Sequence, residues 1–172
     1  FFILCSVVFV CTGGFLGRIF LTLGLTGKVA PYKIGFGPFP GETYHALFPN
    51  ALHGVSVEQA LHSVELIFKN DIEPERVAAF IVEPVQGEGG YYVAPPEFIS
   101  GLKALADRYG ILLIADEVQT GAGRTGTWFA SEQWPVAPDL ITTAKSLAGG
   151  FPLAGVVGRA DVMDAPAPGG LG

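Results

Sequence analysis

The chain has 172 residues, of which 49% are hydrophobic and 15% charged, and this composition is typical of a globular protein with one substantial core. Its formal net charge is −6, and its lysines and arginines form no cluster, which argues against a nucleic-acid partner. The apolar start, FFILCSVVFVC, is too short to cross a bilayer and lacks a basic region before it, so we predict a core strand there and no membrane segment.

One short and two long helices are predicted after this strand. Glycines and prolines first recur over residues 12–41, which predicts a strand end, a short helix and a long loop. SVEQALHSVELIFKN then predicts an amphipathic helix, because Ser56 and Gln59 have capping-box spacing and apolar residues repeat on one face. PPEFISGLKALADRYG predicts a second helix, with prolines suited to its first turn and Gly110 at its end.

Four further segments have the length and apolar composition of buried strands. They are VAAFIVEPV from Val77, ILLIADEV, DLITTAKS and LAGVVGR. Continuous apolar runs that alternate with helices or loops are typical of parallel sheets covered on both faces. We therefore predict a single α/β domain with a mostly parallel sheet flanked by helices.

Three ionisable residues, Glu83, Asp116 and Lys145, stand at or near the ends of these strands. Ligands of open α/β sheets bind beyond the carboxyl ends of the strands, so we expect the three side chains to meet at one edge. Asp116 could cap a turn, or it could be the metal-binding acid of a P-loop ATPase. The only candidate phosphate loop, GLTGK, has two residues between its glycines instead of four and no Ser or Thr after its lysine, which excludes the ATPase.

The histidines and cysteines predict no metal site. His45, His53 and His62 fit no recognised zinc spacing, so we interpret each as a surface or core residue. Cys5 and Cys11 are too few for a disulfide framework or a thiolate metal site, and they suit a reducing compartment.

The pairing of Asp116 with Lys145, one strand later, suggests pyridoxal 5′-phosphate chemistry. A lysine amine forms a Schiff base with the cofactor aldehyde, and a carboxylate against the ring nitrogen keeps that nitrogen protonated. The ring can then absorb the electrons of a carbanion. The alternative is that Lys145 is a solvated surface lysine, the commoner role of this residue type.

Longer motifs connect the chain to a known family. EPVQGEGG (83–90), LLIADEVQTGAGRTGTWFA (112–130) and TTAKSLAGGFPLAG (142–155) resemble the class-III pyridoxal-phosphate-dependent aminotransferases. LTGKVAPYK and FPNALHGVS resemble in particular the bacterial members that act on 4-aminobutyrate. The resemblance implies the central part of a fold-type-I large domain over residues 1–172, truncated at both ends and without the small domain. Residues 1–8 are atypical of the family.

The resemblance also implies roles for individual residues at the cofactor. Lys145 would form the Schiff base and shuttle the proton of the reaction, and Asp116 would pair with the ring nitrogen. Gln119 would form a hydrogen bond near the 3-oxygen of the ring. Val118 and Phe15 would lie on opposite faces of the ring, as apolar and aromatic groups do in such pockets.

On the substrate side, the resemblance makes Glu88 a switch that pairs with an arginine while an ω-amino acid is bound. It places Glu83 beside the substrate, and a turn or cap role stays open for both glutamates. The stretch FLGRI (15–19) departs from the family pattern of aromatic-His-Gly-Arg-Thr at Leu16 and Ile19, but it retains Phe15. We interpret Arg124 as a loop-structuring residue.

The implied reaction transfers the amine of 4-aminobutyrate to 2-oxoglutarate and yields succinate semialdehyde and glutamate, in a cytoplasmic homodimer. One alternative is a family member that acts on 5-aminovalerate, ornithine or acetylornithine, and another is a catalytically inactive remnant. Because members of the family are more than twice this long, we expect the fragment alone to be inactive.

Overall fold

Strands and helices alternate along residues 7–170, the part of the chain that the computed structural model describes. The strands are β1 (Val7–Cys11), β2 (Thr43–Ala46), β3 (Val77–Val82), β4 (Val85–Gln86), β5 (Tyr92–Val93), β6 (Leu112–Asp116), β7 (Leu140–Thr143) and β8 (Gly155–Gly158). The helices are α1 (Phe20–Leu25), α2 (Val57–Asn70), α3 (Gly87–Gly90), α4 (Pro96–Tyr109) and α5 (Ala160–Met163). The predicted first strand is confirmed over β1, and its first six residues lie outside the described part.

Six strands form one sheet in the order β2-β1-β3-β6-β7-β8. All neighbours pair in parallel except β7 and β8, which pair antiparallel, so the mostly parallel prediction is confirmed. The sequence did not predict β2, a four-residue strand whose Thr43 pairs with Val8 of β1. The short β4 and β5 form a separate antiparallel hairpin.

Local signals set the bounds of the two long helices. In α2, the Ser56 hydroxyl accepts a hydrogen bond from Gln59 N at 3.1 Å, and the Gln59 side chain accepts one from Ser56 N at 2.8 Å. This capping box satisfies backbone donors that the first turn leaves free. Helix α4 begins at Pro96 and ends before Gly110, whose φ of 71° is the left-handed conformation that suits glycine.

The main core lies between one face of the sheet and the helices α2 and α4. Phe9, Phe80 and Leu113 lie side by side in register across β1, β3 and β6, and all are buried. Val64 of α2 and Phe98 of α4 are buried in the same cluster. Burial of each such side chain stabilises the fold by roughly 1.5–3 kcal/mol, so this face fixes the strands whose ends carry the ionisable residues.

Within residues 7–170 the structure has no helix of the length and hydropathy that crossing a membrane requires.

Candidate active site

A cavity of about 100 Å³ lies at the carboxyl ends of β3, β6 and β7. Its lining consists of Phe15, Leu16, Gly17, Glu83, Asp116, Val118, Gln119 and Lys145. The structure thus brings together all the residues expected at the cofactor, and Glu83 with them. Glu88 is not part of this lining.

Asp116 is the last residue of β6, directly opposite Thr142 in the register with β7. Its Oδ1 accepts hydrogen bonds from Val118 N at 3.0 Å and from the Thr142 hydroxyl at 3.2 Å. Burial, with 8% of the residue exposed, raises the pKa of Asp116, although these hydrogen bonds and the charge of Lys145 oppose the rise. The carboxylate is therefore oriented through one oxygen, and Oδ2 takes no part in these bonds.

Glu83 directly follows β3 and is 6% exposed. Its Oε1 accepts a hydrogen bond from Phe15 N at 2.9 Å, and its Oε2 accepts one from Gly87 N at 3.1 Å. Burial raises the pKa of Glu83 to about 7, and the nearby charge of Asp116 adds to this effect. Glu83 thus joins the loop after β1 to the end of β3, and it fixes the backbone of Phe15 in the cavity wall.

Lys145 follows β7 by two residues and begins a 3-10 turn over Lys145–Ala148. Its φ of 46° is a left-handed conformation, which few residues other than glycine adopt and which costs free energy unless the surrounding structure holds it. The side chain is exposed, and its positive charge lowers the pKa values of Glu83 and Asp116. The amine is therefore accessible at the cavity that both carboxyls also line.

Val118 and Gln119 are half-buried residues of the cavity wall just after β6. The Gln119 amide lies so close to Gly87 that a Cβ at that position would collide with it. A side chain at position 87 would therefore push the Gln119 amide out of this place in the wall.

Glu88 lies on the exposed rim beside the cavity, in the single turn of α3. Its Oε2 accepts a hydrogen bond from the Tyr32 hydroxyl at 2.8 Å, which raises the pKa of Tyr32, and Lys28 Nζ donates to its carbonyl oxygen at 3.4 Å. The Tyr32 ring centroid is 4.8 Å from that of Phe15, and the Arg18 guanidinium lies 5.5 Å from the Tyr32 ring. Tyr32 thus links Glu88 to the wall of the cavity.

A second, larger cavity of about 580 Å³ lies next to this rim. Arg18 and Tyr32 line it together with apolar residues such as Phe36 and Phe39. None of the predicted site residues lies in its lining, whereas Lys145, Glu83 and Asp116 all line the smaller cavity.

Sequence reasoning assigned no role to Glu117, which is 0% exposed and lies next to Asp116. Its carboxylate accepts hydrogen bonds from the Thr120 hydroxyl, from Ala130 N at 3.0 Å and from Ser131 N at 2.7 Å. The available signal was a second acidic residue directly after an apolar strand, where burial demands partners. Glu117 closes the loop over residues 120–131.

Among residues 7–170, no group of three or more His, Cys, Asp or Glu side chains could hold a metal ion. His45 is bonded to the Leu25 carbonyl at 3.0 Å, and His53 to the Tyr92 hydroxyl at 2.9 Å. His45 is half-buried and His53 is exposed.

A mostly parallel α/β sheet that presents a lysine and a buried aspartate to one cavity is the arrangement expected of a pyridoxal-phosphate enzyme of fold type I. Residues 6–172 match the family model of the class-III aminotransferases, and the chain belongs to that family. The family predicted from the sequence is therefore confirmed.

Curated relatives share high identity with the chain. It is 67% identical over 161 residues to the 5-aminovalerate aminotransferase DavT of Pseudomonas putida, and 63% identical over 161 residues to the 4-aminobutyrate aminotransferase GabT of Escherichia coli. Each comparison covers 94% of this chain and 38% of the relative. The chain thus spans 38% of the length of these proteins.

Solved structures share the fold. An (S)-enantioselective omega-transaminase from Thermomicrobium roseum matches with a TM-score of 0.85 and 36% identity, over 93% of this chain and 37% of that one. An ornithine aminotransferase from Toxoplasma gondii, with partial occupancy of PLP at its active site, matches with a TM-score of 0.78 and 34% identity, over 95% of this chain and 35% of that one. The predicted fold class is confirmed.

Proposed function

We propose that the full-length protein is a pyridoxal-phosphate-dependent aminotransferase that transfers the amine of 4-aminobutyrate to 2-oxoglutarate. The observation that carries this proposal is the single cavity lined by Lys145, Asp116, Gln119, Val118 and Phe15. These residues come from three distant parts of the chain, and only the folded sheet brings them together. The 4-aminobutyrate aminotransferase of Escherichia coli is 63% identical to the chain, which makes 4-aminobutyrate one candidate substrate.

The side chains of the cavity fit pyridoxal phosphate. Lys145 Nζ is an exposed primary amine, which can condense with an aldehyde. Asp116 Oδ2 takes no part in the bonds that hold Oδ1, so it can accept a hydrogen bond from a protonated ring nitrogen. Phe15 and Val118 offer apolar faces to a flat ring. When bound, the cofactor supplies an electron sink for a carbanion at the amine-bearing carbon.

Lys145 would hold the cofactor through Nζ and would be released when the amino donor takes its place. The freed amine of Lys145 would then accept a proton from the amine-bearing carbon of the donor and deliver it to the cofactor carbon that takes up the amine. Lys145 lines the same cavity as the two carboxyls, which supports this role.

Asp116 would hold the ring nitrogen in its protonated form. Burial raises the pKa of this carboxyl, and a cationic ring nitrogen beside Oδ2 would oppose that rise. Val118 N and the Thr142 hydroxyl would keep the carboxylate in one orientation while it does so. Gln119 would donate from the same wall to the oxygen substituent of the ring.

Glu83 and Glu88 would act at the side of the cavity where the substrate binds. Glu83 would keep Phe15 in the wall through its hydrogen bond to Phe15 N, beside the place where the amino donor enters. Glu88, exposed on the rim with Tyr32, would be free to change partners as substrates of different charge arrive.

A second candidate substrate is 5-aminovalerate, because the chain is 67% and 61% identical to the DavT enzymes of Pseudomonas putida and Pseudomonas aeruginosa. The two amino acids differ by one methylene, which a pocket distinguishes by roughly 10–200-fold. Measured kcat/KM values for 4-aminobutyrate, 5-aminovalerate, ornithine and acetylornithine decide between them. A higher value for any compound other than 4-aminobutyrate would replace the proposed substrate.

We also propose that the full-length protein is a cytoplasmic homodimer, as the family resemblance implies. Light scattering of the purified full-length protein should give the mass of two chains. A monomer that is fully active would contradict this.

The test of the cofactor assignment is borohydride reduction of the full-length protein with pyridoxal phosphate, followed by peptide mass mapping. A pyridoxyl group should be found on the peptide that contains Lys145. Lys145→Ala should lose it, whereas Lys69→Ala, at an exposed lysine of α2, should keep it. Labelling that is equal in all three proteins, or absent from the unsubstituted one, would refute the assignment. The 172-residue chain, tested in parallel, should show no transamination.

A further inference from the structure

The turn that carries Lys145 receives a hydrogen bond from a separate loop. Arg124 Nη2 donates to the Ser146 hydroxyl at 2.5 Å, one residue after Lys145. The turn that begins at Lys145 ends at Gly149, which is also left-handed with a φ of 59°. A left-handed non-glycine residue persists only where the surrounding structure holds it in place, and the exposed Arg124–Ser146 hydrogen bond is one contact between this turn and a separate loop.

The loop that carries Arg124 is itself anchored beside Asp116. Glu117 follows Asp116 and is fully buried, and its carboxylate bonds to Thr120 at the start of the loop and to Ala130 N and Ser131 N at its end. Hydrogen bonds to a buried carboxylate are among the stronger ones in proteins. The loop over residues 120–131 is therefore closed at its base by the strand end that also supplies Asp116.

Within this loop, the backbone turns sharply on either side of Arg124. Ala122 and Gly123 have φ values of 56° and 83°, and Gly126 has a φ of 97°. Gly126 N donates to the Gly123 carbonyl at 3.2 Å, and Gly123 N donates to the Trp128 carbonyl at 3.3 Å. These bonds form a defined turn, and Arg124 lies in it opposite Ser146.

We propose that Arg124 is a positioning residue for Lys145. Its guanidinium holds Ser146, and this fixes the start of the turn from which the Lys145 side chain reaches the cavity. Arg124 does not line that cavity, so it acts through Ser146 and not on the substrate. The inference rests on the proposed function, because that function is what requires the Lys145 amine to be held in one place.

The test is a double-substitution cycle in the full-length protein loaded with pyridoxal phosphate. Arg124→Ala and Ser146→Ala should each lower kcat about tenfold with little change in KM, because a displaced amine slows the chemistry more than it weakens binding. The double substitution should be no worse than either single one, since both remove the same hydrogen bond. Arg124→Lys, which keeps a donor, should recover part of the rate.

One further readout, with a matched control, separates positioning from simple stability. The pH midpoint of the visible absorbance of the bound cofactor should shift in Arg124→Ala and Ser146→Ala, because the environment of Lys145 changes. Arg108→Ala, at an exposed arginine in the last turn of α4, is the matched control and should change neither kcat nor this midpoint.

Three results would overturn the inference: an unchanged kcat in Arg124→Ala, losses that multiply in the double variant, or losses that disappear once the variants are assayed well below their lowered Tm. The borohydride experiment keeps these failures apart from a failure of the proposed function. If Lys145 of the unsubstituted protein is labelled and Arg124→Ala leaves kcat unchanged, only the inference is wrong. If Lys145 is never labelled, the proposed function is wrong and this inference with it.

Discussion

Glu83 and Glu88 lie five residues apart, but they occupy opposite environments. Glu83 is 6% exposed, accepts hydrogen bonds from two backbone N–H groups, and has a pKa raised by burial to about 7. Glu88 is exposed and accepts a hydrogen bond from the Tyr32 side chain. Burial and the type of partner, and not the residue type, therefore decide which carboxyl is a fixed part of the cavity and which belongs to a rim that can rearrange.

The physical reason lies in the elements that carry the two glutamates. Glu83 directly follows β3, a central strand, and its two partners are parts of the backbone that cannot move independently. Glu88 lies in the one-turn α3, and its partner is a long side chain from the loop after α1. An exposed side-chain contact of this kind contributes little to stability, so it can be exchanged at small cost.

The largest effect should come from the second buried carboxyl of the cavity. Asp116→Asn in the full-length protein should lower the rate of transamination by roughly 10²-fold, the scale seen when one preorganised polar group of an active site is removed. The amide cannot neutralise a cationic ring nitrogen, so the loss should appear in kcat. Stopped-flow kinetics of the half-reaction with 4-aminobutyrate measures it.

The exposed Asp107 of α4 offers the matched control for this substitution. Asp107→Asn also removes one carboxylate, and it should leave the rate unchanged. Equal rates in both variants would mean that the cavity is no more sensitive than the surface, and the comparison between buried and exposed carboxyls would fail.

The next prediction concerns the pH dependence of protein stability that results from the burial of Glu83. Its pKa is higher in the folded than in the unfolded protein, so the folded state binds more protons, and stability should fall as pH rises from about 4.5 to about 7. The contribution should reach at most about 3 kcal/mol. Urea unfolding of the cofactor-free full-length protein across this range measures it.

Glu83→Gln removes the titrating group, so the fall in stability over that pH range should be smaller in the variant. The introduced side-chain amide keeps one carbonyl acceptor for the two backbone donors, as the protonated carboxyl does, so the two proteins should differ least in stability at the acidic end of the range. An identical slope in both proteins would show that Glu83 is not held in its protonated form by the fold.

A third prediction concerns the packing of Gly87 against Gln119 in the wall of the cavity. Gly87→Ala should destabilise the full-length protein by at most about 1 kcal/mol, because the added Cβ meets the end of the flexible Gln119 side chain, which must move out of the wall. Gly87→Ala combined with Gln119→Ala should recover most of this loss. Gly41→Ala, where a Cβ would meet no atom within 4 Å, is the matched control and should lie within about 0.5 kcal/mol of the unsubstituted protein in urea unfolding.

The smallest effect should be found at the rim. Glu88→Gln weakens the hydrogen bond that Glu88 accepts from the Tyr32 hydroxyl and removes its negative charge, and both raise the pKa of the Tyr32 phenol, so this pKa should fall back toward its ordinary value. A difference titration of phenolate absorbance detects the shift. In a Tyr32→Phe background, the same Glu88→Gln change should produce no difference, and a difference that persists there would assign the shift to another tyrosine.

The sequence by itself determined the elements whose signals are local. The capping box of Ser56 and Gln59 fixed the start of α2, and Gly110 fixed the end of α4, because these residues satisfy or end the backbone hydrogen bonds of their own turns. The apolar runs of β3 and β6 indicated buried parallel strands. Asp116 and Lys145 could be selected because charged groups after such runs require a ligand, a partner or solvent.

Only the tertiary structure decided which distant groups meet. Strand β2 is stabilised by its pairing with β1, so its own four residues carry too little signal to predict it. The register that sets Asp116 opposite Thr142, the link from Glu83 to Phe15, and the separation of Glu88 from the cavity all depend on contacts between residues far apart in the chain. Such contacts form at the cost of chain entropy and are selected by the packing of the whole sheet, which no local pattern encodes.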